Sequence, residues 1–145
     1  MTTELTEAAS DPTRRHILPG LYNLRDVGGY PASGGTTRWG KLFRSDALHG
    51  IDDAARSHLR DLGIGHVVDL RGADERRRQP SSLSGLPLRV HEVPVFDDAA
   101  PATQALHELD LAWPHDHIVD DRPAALVDAI RVIGRAGDDD AVLVH

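Results

Sequence analysis

The run Ala141-Val142-Leu143-Val144, set between the acidic turn Asp138-Asp139-Asp140 and His145, constrains the fold more than any other part of the chain. A strand with one wet face alternates apolar and polar residues; this run does not, so both of its faces need cover. It predicts a central strand. His66-Val67-Val68-Asp69-Leu70 supplies a second buried strand over Gly65 to Leu70, and Leu88 to Val95 reads as a third. From Asp52 the pattern changes to the helical period: Ala55, Leu59 and Leu62 share one face, acidic residues open the first turn and Gly63 closes it. Asp121 is placed as the cap of a second helix whose apolar stripe is Leu126, Ile130 and Ile133, with Gly137 just beyond its end.

Shorter signals fill the gaps. Leu18 to Tyr30 reads as a strand-like entry into the Gly28-Gly29 turn, Ser33-Gly34-Gly35 as a second turn, and Lys41 to Arg44 as a short strand. Glu75 to Arg78 is predicted as a basic helical turn stopping before Pro80, and Thr103 to Leu111 as a further helix. Helices and apolar strands interleave, which predicts an α/β domain with a partly parallel central sheet flanked by helices. Residues 1–17 are polar and without sustained periodicity, so a flexible tail is expected there, with one domain portion over residues 18–145.

Composition narrows the chemistry. The chain has 145 residues and no cysteine, which excludes disulfides, zinc–thiolate sites and a thiol nucleophile among these residues. Sixteen basic against 23 acidic residues give a net charge of -7, so general nucleic-acid binding is not expected. Fifteen of those basic residues are arginine, the side chain suited to bidentate contact with phosphate or carboxylate, although a GC-rich gene gives the same bias. No apolar run approaches the roughly 20 residues of a membrane span. The acidic start Met1-Thr2-Thr3-Glu4 lacks the basic and apolar regions of a signal peptide, so a cytoplasmic location is expected.

Three segments, in order, carry a resemblance: Asn23-Leu24-Arg25-Asp26-Val27-Gly28-Gly29-Tyr30, then Gly40-Lys41-Leu42-Phe43-Arg44-Ser45-Asp46, then Leu62-Gly63-Ile64 through Val67-Val68-Asp69-Leu70-Arg71. Together they resemble the bacterial tyrosine/serine protein phosphatases, a branch of the cysteine-dependent phosphatases. Val142-Leu143-Val144-His145 is similar to the strand entering that family's phosphate loop. The resemblance implies hydrolysis of phosphate monoesters on a phosphorylated protein or small molecule, through a phosphocysteine intermediate and without a cofactor. In that family a nucleophilic Cys directly follows the His, and a loop ending in Arg cradles the phosphate at a helix N-terminus. The chain is therefore expected to be a truncated family member, inactive alone. The C-terminal helical part of the fold is expected to be missing, which would leave apolar sheet surface open.

The same resemblance implies places for individual residues. Asp69, at the carboxyl end of its strand, is a candidate general acid or an orienting group, with a turn-capping Asp as the alternative. Arg71 is a candidate for holding anionic substrate, whereas the Arg76-Arg77-Arg78 cluster reads better as a solvated turn. Arg44 and Ser45 match a segment lining the active site, and could otherwise pair with Asp46 or Asp26. Asn23, Arg25 and Asp26 read as a polar trio fixing the Gly28-Gly29 turn. His145 matches the buttressing His. Trp113-Pro114-His115-Asp116 is comparable with the acid loop of eukaryotic-type tyrosine phosphatases, making Asp116 a second acid candidate. Two other functions stay open: a non-catalytic binding module for phosphorylated partners, and a metallohydrolase using His115, His117 and Asp120 or Asp121, with His91, His107 and His145 elsewhere. A hydrophilic loop explains the latter cluster equally, and no metal is assigned.

Overall fold

The computed structural model describes residues 2–95 and 122–145, with side chains described from Leu5 onward. The helix expected over 103–111, the cap at Asp121, Asp116 and the His115–His117 cluster lie outside the described residues. Inside them the elements are α1 (Thr2–Ser10), a 3-10 turn (Pro12–Arg14), β1 (Arg25–Asp26), β2 (Pro31–Ala32), β3 (Gly35–Thr36), β4 (Leu42–Arg44), α2 (Asp53–Asp61), β5 (Ile64–Asp69), α3 (Ala73–Arg78), β6 (Arg89–Glu92), α4 (Pro123–Arg135) and β7 (Ala141–Val144).

The run that dominated the sequence does become the central strand. Sheet order is β1-β4-β7-β5-β6. β7 pairs in parallel with β4 on one side and β5 on the other, and β5 pairs in parallel with β6. Among the described strands of this sheet only β1 runs antiparallel, on β4, while β2 and β3 form a separate antiparallel pair. Val142 and Leu143 are 1% and 0% exposed and face different cores. Leu143 joins Phe43, Leu59 and Val67 on the α2 side; Val142 joins Val68 and Ala129 on the α4 side. The open apolar sheet surface expected at this strand is thus not found at Val142 or Leu143.

Local chemistry explains the element ends. Asp52 caps α2, its carboxylate accepting the Ala55 N–H at 2.8 Å, and Gly63 takes the left-handed conformation after it with φ +70°. The α4 stripe differs from expectation. Ile130 is 65% exposed, while Ala129, Val132 and Ile133 pack on the sheet, a rotation of the buried face by about one residue. The wider apolar arc on this helix left the sequence two ways to face the core, and the sheet selected one.

The N-terminal region, expected to lack regular structure, carries α1 and the 3-10 turn. Arg14 secures it: this side chain is buried, stacks on Tyr30 at 3.8 Å from the ring centroid, and donates to the carbonyls of Asp26 and Ala8. No helix among the described residues is long and apolar enough to cross a membrane.

Candidate active site

Four parallel strands end together, and their carboxyl ends collect Arg44 and Ser45, His145, Asp69 to Arg71, and Glu92. Open α/β sheets bind ligands along this edge. His145 extends the ladder one step past β7: its N–H donates to the Val68 carbonyl at 3.0 Å and its carbonyl accepts the Leu70 N–H at 2.8 Å.

Asp69 closes β5 with its side chain 3% exposed. One carboxylate oxygen accepts the Arg71 backbone N–H at 3.0 Å and Nε–H at 2.9 Å; the other accepts Nη2–H at 2.7 Å. Such a fork-to-carboxylate contact is the strong, geometrically specific kind of ion pair. Arg71 also donates to the Gln79 carbonyl and to Ser81 Oγ, each at 2.9 Å. Together these contacts hold the ends of the α3 turn against the sheet edge. Arg76 braces the turn by donating to the Arg71 carbonyl and pairing with Glu92 at 3.1 Å.

The charges settle in one direction. Burial pushes the Asp69 carboxyl up, but the Arg71 hydrogen bonds and the neighbouring positive charges outweigh it and hold the pKa below the ordinary value. The His145 ring is fully buried, with Nε2 3.7 Å from Asp69, and neither ring nitrogen has a hydrogen-bond partner among the described residues. Burial lowers its pKa to about 4; Asp69 pulls it up and Arg71 pushes it down. At neutral pH the site therefore holds a carboxylate, a guanidinium and a neutral imidazole. The Asp69–His145 contact is not a salt bridge there.

Arg44 ends β4 exposed, with no side-chain partner among the described residues. Ser45 donates its N–H to the Val144 carbonyl at 3.1 Å and its hydroxyl to the Asp46 carbonyl at 2.8 Å. The polar trio splits. Asp26 does fix the turn, accepting the N–H groups of Gly28 and Gly40 at 2.7 Å each, whereas Asn23, at φ 55°, donates its amide to the Asp46 carboxylate. Sequence reasoning missed Gln79 and Ser81, which carry no motif and act only because the α3 turn folds back. Among the described residues no group of three or more His, Asp or Glu could hold a metal ion. His91 lies 3.0 Å from His66 instead.

The sheet gathers an ion-paired carboxylate and a buried imidazole at the carboxyl ends of its parallel strands, the edge along which open α/β sheets bind ligands. The chain belongs to the tyrosine phosphatase family, whose model matches residues 16–145. Over 99 residues it is 38% identical to the triple specificity protein phosphatase PtpB of Mycobacterium tuberculosis. That similarity covers 63% of this chain and 35% of the relative, so the chain spans about a third of the relative's length.

Proposed function

We propose that these residues form the scaffold of a protein phosphatase that hydrolyses phosphate monoesters through a phosphocysteine intermediate, with the thiol supplied by a segment outside residues 1–145. The observation that carries this reading is the Asp69–Arg71 pair packed against the buried His145 at the parallel-strand edge. In the reaction, the thiolate attacks phosphorus, the ester P–O bond breaks and the leaving oxygen takes a proton from a general acid. Water then attacks phosphorus while giving a proton back to the conjugate base of that acid, the P–S bond breaks, and phosphate leaves with the thiolate and the acid both restored.

Asp69 is poorly suited to be the acid. A carboxyl held ionised by three Arg71 hydrogen bonds has no proton to give near neutral pH. Its role, and that of Arg71, is positioning. The Arg71 donors are spent on Asp69, Gln79 and Ser81, so no fork is left for a substrate phosphate. His145 presents an imidazole with spare hydrogen-bonding capacity beside the edge. Arg44 and Ser45 are the substrate-side residues, and Asp116 is retained as a candidate acid.

The 145-residue chain alone is expected to give no turnover of an aryl phosphate. The natural gene product that includes the thiol-bearing segment is expected to turn it over and to lose activity on alkylation with iodoacetamide. Asp69→Asn in that product should cost about 100-fold in kcat, the scale of a small misplacement of catalytic groups. Turnover by the chain alone, abolished by substituting one of its own residues, would overturn this assignment, as would alkylation-insensitive activity.

A further inference from the structure

Three arginines stand directly opposite one another on successive extended segments. Arg15 bridges Arg25, and Arg25 pairs with Arg44, both in antiparallel register. Directly opposed residues of antiparallel segments project to the same face. With neighbouring segments about 5 Å apart, the row spans roughly 10 Å. Its inner end is fixed as well: Arg44 is paired with Val144, the residue before His145, so the row runs outward from the carboxyl end of the central strand.

Like charges placed directly opposite each other are destabilising, and among the described residues no carboxylate pairs with these three. The ion pairs among the described residues engage Arg38, Arg56, Arg71, Arg76, Arg77 and Arg131, none of the row. The nearby carboxylates are committed elsewhere: Asp26 to two backbone N–H groups, Asp46 to the Asn23 amide. Among the described residues Arg25 Nε is buried with no partner, and the same guanidinium reaches only Asn23 Oδ1, at 3.4 Å. Arg15 and Arg44 are exposed. In a chain of net charge -7, three adjacent uncompensated guanidinium groups and one orphaned buried donor mark a place where an anion belongs.

We propose that Arg15, Arg25 and Arg44 form an extended phosphoryl-binding row. It would take a ligand with more than one phosphoryl group, holding the additional groups within about 10 Å of the scissile one. Only the word scissile rests on the phosphatase reading; binding by the row does not.

The test is a titration of the 145-residue chain with inorganic phosphate, pyrophosphate and tripolyphosphate at one fixed ionic strength, read by thermal shift and by calorimetry. Affinity is expected to rise along that series, because the longer anions reach more of the row. Arg15→Gln and Arg44→Gln, both at exposed positions that leave the core untouched, should each weaken tripolyphosphate by about tenfold, the worth of one charge-assisted contact. Arg38→Gln should not weaken it. Equal affinity for the three anions, no binding, unchanged affinity in either row variant, or an equal loss in Arg38→Gln would each overturn the proposal. No arm reads turnover, so a failure of the catalytic reading leaves these outcomes intact, and the reverse also holds.

Discussion

At the scale of single residues, protonation separates the two partners at the strand edge. A free histidine takes up a proton near pH 6.5, whereas buried His145 does so only near pH 4. Between those values the unfolded chain holds a proton that the folded chain lacks, so stability falls as pH drops from 6.5 to about 4. One such group gives a slope of up to about 1.4 kcal/mol per pH unit. His16 and His91, both lowered chiefly by burial, act in the same direction. Asp69 works in another window. Its pKa is lowered, so its contribution is complete above the ordinary carboxylate value of 3.8 and is lost only as pH falls below it. His145→Gln is therefore expected to flatten the acid limb between pH 6.5 and 4 without removing it. Urea unfolding at pH 7, 5.5 and 4.5 checks this, and parallel limbs for parent and variant would count against a buried neutral imidazole. The position of His145 at a strand end was legible from the apolar run before it. Its neutral state was not, because that depends on burial and on Arg71, more than 70 positions away in the chain.

At the scale of elements, local signals were read well where the deciding contacts were local. The α2 cap, the β5 strand and the α3 turn follow from Asp52, Val67-Val68 and the Glu75–Arg78 segment with little help from the rest of the fold. Elements set by distant partners carry no such local signal. Nothing near Arg14 announces that its guanidinium will sit on Tyr30 and near Trp39, which is what docks α1 and the 3-10 turn. The β2–β3 hairpin shows the same division. Gly34 sits in its two-residue loop at φ +83° with open space around it, a purely local demand. A Cβ on Gly28 would instead lie 2.4 Å from the Trp39 Cα, a demand set by a backbone eleven residues away. Gly34→Ala should therefore cost about 1–2 kcal/mol, the penalty of a left-handed alanine. Gly28→Ala should cost more, about 3 kcal/mol or above, because the backbone itself must shift. Thermal unfolding of the two variants side by side decides this; equal losses would mean that the Gly28–Trp39 packing is not tight.

At the scale of the molecule, interleaved helices and strands made an α/β class legible, and the unbroken apolar run marked its central strand. Strand order was not legible. β4 lies beside β7 although about 100 residues separate them, and no local pattern encodes such a pairing. The consequence is that β7 is shared by both hydrophobic cores: Leu143 belongs to the α2 side and Val142 to the α4 side. Neither core can be lost without loosening the strand on which the other rests, so the two should unfold as one cooperative unit. Leu143→Ala removes a fully buried side chain and is expected to cost about 2–5 kcal/mol. Val142→Ala, on the opposite face, should lower the midpoint less, because fewer buried atoms are removed. In both variants, tryptophan fluorescence and far-UV circular dichroism should shift together, with the slope on denaturant unchanged. Separate transitions for the two probes in Leu143→Ala would show that the faces unfold independently, and the strand would then be a neighbour of two cores rather than their common support.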